Sequence, residues 1–466
     1  MIKNFSIKIL TLIFLSAFVY IILNIIYIKN LRFKTFVSEN YPKIQKTIFA
    51  TPAILDLEDE LRDVLYNVKM KPSYLERKIN KTQFVNFKED KYLLGSYTYK
   101  AKRMKAVGFI DFHNENLFIV SGTGEVKFIN VKNISKIETE ATKVATNIND
   151  LINDKTFYDV SENMLSQFNS ISDILIYEDF IYLSFNRELK DNCYTKSIIR
   201  SKINYKFLKF EDFFFNKKEC RKFDKDKSKF NGHQSGGRMI VINKNSYHNF
   251  FNKNNDKILF TVGDYRSNRS NNIPLAHNEN SIFGKTLLLD IKNKEYKIFS
   301  KGHRNPQGLY YDNNDKIIIS TEHGPYGGDE INILYQGKNY GWPISSYGEN
   351  YPRVTADKNK DFYFKKNHIN FGFEEPIIAF TKSIGISEII KVPKNFHNKW
   401  DGSYLATSLN GHIILRFNLD KNFKKIQAIE IINVGERVRD IKFWENKIFT
   451  ILENSASVGV YTIKDK

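Results

Sequence analysis

The chain has 466 residues, 42% hydrophobic and 14% aromatic, which supplies a sizeable core and excludes global disorder. Lys plus Arg (71) exceed Asp plus Glu (52), a net charge of +19. The lysines are scattered among Asn and Ile, with no basic run interleaved with aromatics and no nucleic-acid motif, so no nucleic-acid partner is expected.

Residues 9–28, ILTLIFLSAFVYIILNIIYI, carry no charge. A run of about 20 apolar residues matches the hydrocarbon core of a bilayer. It is long for a signal peptide and no small-x-small cleavage site follows it, so residues 1–29 are read as an uncleaved signal anchor. Lys3 and Lys8 precede the run, and Lys29, Arg32 and Lys34 follow it. Charge therefore does not fix the orientation. Residues 30–105 read as a stalk, with LEDELRDVLYNV at amphipathic helical spacing.

From residue 106 the texture changes to short apolar runs broken by Asn or Gly turns. AVGFIDFHNENLFIVSGTGEVKFINV (106–131) is the first, and the pattern recurs at 171–188, 256–264, 308–324, 403–419 and 438–454. Strand–turn–strand units repeated at intervals of tens of residues predict an all-β fold, a propeller with one unit per blade over 106–466. A β-sandwich is the competing architecture. In a propeller, function sits in the loops between blades.

Cys193 and Cys220 are the two cysteines. With no CxxC pattern they do not suggest zinc, and their spacing leaves a disulfide or two core thiols equally open.

The chain uses 10 prolines and 23 glycines and concentrates them in a few loops. NGHQSGGRM (231–239) sets His233 beside glycines that let backbone approach a ligand. TVGD ends a strand on Asp264. GHRNPQGL and EHGPYGGDEINILYQGKNYGWP carry Arg304, Asn305, Gly324, Pro325, Glu330 and Tyr340. GERVRD places Arg437 and Arg439 two apart, which on a strand sends both guanidiniums to one side. No hydrolytic nucleophile or metal cluster announces itself.

The order RNPQGL, EHGPYGGDEIN, NYGWP, together with GHQSGGRM, TVGD and GERVRDI, resembles the aldose sugar dehydrogenase (glucose/sorbosone dehydrogenase) family that depends on pyrroloquinoline quinone. The likeness runs over about 106–465 and is densest between 231 and 352. It implies a six-bladed propeller with the quinone at one end of the channel, oxidising aldoses at C1. His233 would take the proton of the anomeric hydroxyl as hydride passes to the quinone, a role suited to an imidazole with an ordinary pKa of about 6.5. Asp264 would orient that ring. Arg304 would stabilise negative charge on the quinone oxygen, with Asn305 beside it. Carbonyls of Gly324 and Pro325 would hold calcium against the cofactor. Arg437 and Arg439 would pair with its carboxylates, and Tyr351 falls at a cofactor contact. Glu330 and Tyr340 match a separate, structural calcium site. Asn410 stands where the family commonly has a cofactor-binding Lys, and Phe168 where it has Gln. The resemblance places the propeller on the periplasmic side of the inner membrane. A calcium-binding propeller that recognises a glycan or protein without redox chemistry is the alternative.

Overall fold

The computed structural model describes residues 15–16, 18–20, 22–23, 77–93, 107–134, 141–152, 171–190, 192–223, 232–245, 255–267, 274–350 and 364–464. The expected anchor, the expected LEDELRDVLYNV helix, Phe168 and Tyr351 lie wholly or mostly outside these residues. Those of the anchor that are described are helical. Among the described residues no helix is long and apolar enough to cross a membrane.

Six sheets follow one another along the chain, antiparallel except where Phe207–Leu208 runs parallel to Thr142–Thr146, and each hairpin expected from the sequence falls in its own sheet. Blade 1 is built on Gly108–His113, Asn116–Ser121, Val126–Asn130 and Thr142–Thr146. Blade 2 starts with Ile171–Tyr177, Phe180–Lys190 and Cys193–Lys202. Blades 3, 4 and 5 open on Gly236–Ile242, Pro306–Asp312 and Ile386–Lys391. Blade 6 opens on Val438–Trp444.

The strands form because β-branched and aromatic residues alternate with smaller or polar ones across tight turns. Both faces of each blade are apolar, and burying them requires a neighbour on either side. Six apolar clusters answer this need, one at each junction. Phe118 and Phe185 share the core between blades 1 and 2, and Tyr182 and Phe260 that between 2 and 3. Leu288 and Ile318 belong to the third, Ile331 and Leu405's neighbour Tyr404 to the fourth. Trp400 and Ile441 fill the fifth, and Phe449 and Ile119 the last.

Residues 77–93 correct the expected stalk. Arg77–Lys81 and Asn86–Leu93 are strands, and the second pairs along its whole length with Ser457–Lys464. They complete blade 6, so the ring is closed by strands from opposite ends of the chain. Phe87 packs on Trp400 with ring centroids 5.2 Å apart. Cys193 and Cys220 form a disulfide, with Cα atoms 5.3 Å apart.

Along the axis the blades are stapled by acids on their innermost strands. Asp440 accepts from Ile110 N (2.8 Å), Asp111 from Ile176 N (2.7 Å), Asp173 from Met239 N (2.8 Å) and Glu388 from Leu309 N (3.1 Å). Each bond crosses from one blade to the next. Arg238 Nη1 neutralises three of these acids at once, lying 2.9 Å from Asp173, 2.8 Å from Glu388 and 3.1 Å from Asp440. Buried charges persist when paired in this way.

Candidate active site

The innermost strands of all six blades begin at the same end of the axis, and there they surround a cavity of about 280 Å³. Its wall includes His233, Arg304, Asn305, Gly324, Pro325, Arg437 and Arg439, seven of the residues expected from sequence. Among the described residues no Asp or Glu lines it. His233 and Arg439, 206 residues apart along the chain, are thus brought to one basic pocket.

Arg437 and Arg439 flank Val438, which points into the core, so the two guanidiniums share the opposite side as the spacing predicted. Glu453, buried beneath them, bonds both: Arg439 Nε at 2.6 Å and Arg437 Nε. These two cations hold the Glu453 carboxyl below its usual range against the penalty of burial. One carboxylate shared by two guanidiniums leaves a net positive charge. Arg304 Nη1 donates to His323 O at 3.0 Å, while its Nε is buried without a partner. Buried donors of this kind are rare unless a ligand satisfies them.

His233 stands at the mouth, with its ring open to the cavity. Arg266 Nη2 lies 3.2 Å from its Nδ1. A guanidinium only donates, so Nδ1 accepts and the neutral ring carries its proton on Nε2. Desolvation, then the positive charges of Arg266, Arg439, His323 and Arg304, push the imidazole pKa down to about 4. The expected orienting residue, Asp264, is placed differently. It accepts from Trp342 Nε1 (2.7 Å) and from the backbone N of Arg266 (2.9 Å). With the amide of Gln234 turned so that both its ends find partners, Gln234 donates to Asp264 and accepts from Arg304 Nη2, each at 2.9 Å. Asp264 therefore fixes the residues on either side of the histidine. Burial raises its carboxyl to about 6.

Two sets of oxygens suit a hard cation. Gly324 and Pro325 sit on the cavity wall in a turn so tight that a Cβ on Gly324 would lie 2.2 Å from Gly327 O. Asp329 secures that turn through Gly324 N (3.1 Å) and Gly385 N (2.6 Å). Behind it, a hole of about 20 Å³ is lined by Glu322, Glu330, Tyr340 and His368, among others. That is the volume of one water or ion. Burial and the neighbouring Glu322 hold the Glu330 carboxyl well above its normal range, and Asn332 Oδ1 beside it is unpartnered. The Tyr340 phenol donates to Ile333 O at 2.6 Å, and its carbonyl accepts from His368 Nδ1 at 3.1 Å.

Asn410 takes part less directly. Its amide donates to Ser383 O (3.1 Å), and Ser383 and Leu409 form the wall instead. Sequence reasoning missed Gln234, Gln307, His323 and Trp342 as members of the site, although all four lie inside the quoted motifs. It also missed Arg266, which no motif marks.

A closed six-bladed ring with three arginines and an imidazole around one mouth of its axis defines a β-propeller with a basic pocket. The chain belongs to the glucose/sorbosone dehydrogenase family, whose model matches residues 171–461. It is 30% identical over 271 residues to quinoprotein glucose dehydrogenase B of Acinetobacter calcoaceticus, covering 45% of this chain and 56% of that protein. It is 27% identical over 161 residues to the aldose sugar dehydrogenase YliI of Escherichia coli, covering 34% and 42%. The chain thus spans about half or less of the length of the curated relatives it matches. In fold it is similar to a crystal structure of a glucose dehydrogenase, with a TM-score of 0.58 at 19% identity over 78% of this chain and 99% of that one.

Proposed function

We propose that this chain is a membrane-anchored quinoprotein that oxidises aldoses at C1, with calcium beside the cofactor. The observation that carries the reading is the convergence of His233, Arg304, Arg437, Arg439 and the Gly324–Pro325 turn on one cavity. Three cations and an orphaned Arg304 Nε suit a flat, polycarboxylated quinone. The name of the Acinetobacter relative as a quinoprotein glucose dehydrogenase agrees with it.

Bound there, the quinone supplies the acceptor for a hydride from the sugar. Arg437 and Arg439, oriented by Glu453, would hold its carboxylates. Arg304, with Asn305, would face the oxygen on which negative charge grows, in a site too dry to screen it. The Gly324 and Pro325 carbonyls would hold calcium, and Glu330 with the Tyr340 carbonyl a second, structural ion. His233 takes the proton of the C1 hydroxyl. Its lone pair is at Nδ1, which accepts from Arg266, so the substrate hydroxyl would reach it by displacing that guanidinium.

The disulfide favours an oxidising compartment, and the uncharged run 9–28 has the length of a membrane span. We therefore place the propeller on the periplasmic side of the inner membrane. The test is reduction of an artificial dye by the protein supplied with calcium, the quinone and a panel of aldoses. No reduction by protein that has demonstrably taken up the quinone would sink the proposal.

A further inference from the structure

Sugar oxidation leaves one buried group unused. Lys196, on the third strand of blade 2, has no solvent exposure, and lysine is among the residues least often found so. Its Nζ touches Ser172 Oγ, Asn186 Oδ1 (3.1 Å) and Ser235 Oγ (3.3 Å). Burial pushes the amine well below the ordinary lysine range, with Asp173 opposing.

A neutral amine has two hydrogens and one lone pair, and the three contacts match that inventory. Asn186 Oδ1 can only accept, and it is fixed by a second donor, the Tyr265 hydroxyl at 2.5 Å. Ser235 Oγ also receives Asn186 Nδ2 at 3.4 Å, which leaves it accepting. The third position of Nζ faces Ser172 Oγ, to which a charged amine donates and from whose hydroxyl an unprotonated amine would accept. Both serines line the main cavity, and Ser235 is two residues from His233. Gly237, at φ +123°, permits the approach: a Cβ there would lie 2.4 Å from Ser172 Cβ and 2.9 Å from Lys196 Cε. A nucleophile, a neutral base bonded to it and an amide that orients the base form the arrangement of an activated hydroxyl.

We propose that Ser172 and Lys196 are a nucleophile–base pair that hydrolyses aldonolactones. The choice of substrate rests on the reading above, in which oxidation at C1 produces a lactone on this wall of the cavity. Ser172 Oγ adds to the lactone carbonyl carbon while Lys196 Nζ takes its proton. The negative charge that forms on the carbonyl oxygen falls in a cavity lined by guanidiniums. The ring C–O bond breaks and the departing oxygen receives that proton, leaving an ester on Ser172. Water, giving a proton to Nζ, attacks the ester, and Ser172 leaves with that proton. Lactone and water become aldonic acid, with no oxidant consumed.

The experiment measures proton release from glucono-δ-lactone by the full chain without quinone, in weakly acidic buffer where the background is slow. Hydrolysis above the buffer rate is expected, falling about a hundredfold or more in Ser172→Ala at an unchanged thermal midpoint. A second measurement uses the wild-type protein alone. After brief exposure to p-nitrophenyl acetate, peptide mass spectrometry should find an acetyl group on Ser172. Hydrolysis at the buffer rate without an adduct, or an unchanged rate in Ser172→Ala, overturns the proposal. Dye reduction by the quinone-loaded wild type is scored separately. If it fails while lactone hydrolysis persists, the dehydrogenase reading falls and the pair stands. The reverse result removes the pair alone.

Discussion

Arg266 Nη2 donates to His233 Nδ1 across 3.2 Å, so a cation is among the groups that hold the would-be base. A neighbouring positive charge disfavours the protonated ring and keeps it neutral well into acid. With the pKa pushed down to about 4, kcat/KM for aldose should stay flat as pH falls through the ordinary imidazole value of about 6.5 and drop only near 4. Arg266→Gln removes one cation, so its acidic limb should move to higher pH. A limb near 6.5 in the wild type would contradict this account. His233→Ala should lose about a hundredfold or more in kcat while still taking up the quinone.

Arg437 and Arg439 sit over one buried acid, Glu453. Removing either guanidinium deletes charge-assisted hydrogen bonds worth about 1.5–3 kcal/mol. Arg439→Ala should therefore weaken quinone binding at least tenfold by calorimetric titration. Affinity unchanged within error would take this arginine out of the cofactor site.

Glu330 and the Tyr340 carbonyl border a hole the size of an ion. A ligand that binds only the folded state raises its stability by mass action. Calcium should raise the thermal midpoint of the wild type, and chelation should lower it. In Glu330→Gln, a near-isosteric change, that calcium-dependent component should shrink measurably.

Arg238 neutralises Asp173, Glu388 and Asp440 on the axis. Removing one partner of a buried ionic group costs about 3–5 kcal/mol, because the others are left uncompensated. Arg238→Met should lower unfolding stability by about that amount in urea. A smaller loss would show that protonation of Asp173, which burial raises to about 7, relieves the charge.

Phe87 is fully enclosed among Phe396, Trp400 and Tyr461. As part of a blade, Phe87→Ala should cost about 3–5 kcal/mol. In a free stalk the same change would cost nothing.

The six hairpins were legible because each strand carries its own alternation and each turn its own Asn or Gly. The site was legible where it is local: GHQSGGRM, RNPQGL and EHGP each carry a whole loop of it. Residues 77–93 were not legible, since RKINK and NFKEDKYL are highly charged and read as linker. Glu89 and Lys91 are nonetheless buried, through Tyr461, Asn80 and Glu436. Only tertiary pairing reveals that. Asp264 was assigned to the ring from its motif, yet its partners Gln234 and Trp342 depend on how three loops meet. Ser172 and Lys196 belong to different strands of ordinary appearance, and no spacing joins them.

The last blade has a consequence for synthesis. Glu89 and Tyr461 are 372 residues apart and bonded to each other. While the ribosome is still making the chain, the strand Asn86–Leu93 has Arg77–Lys81 on one edge but nothing yet on the other, and an open strand edge invites pairing with other chains. The ring gains its last seam only after Ser457–Lys464 has left the exit tunnel. Whatever holds the early strands apart until then decides the yield of folded protein.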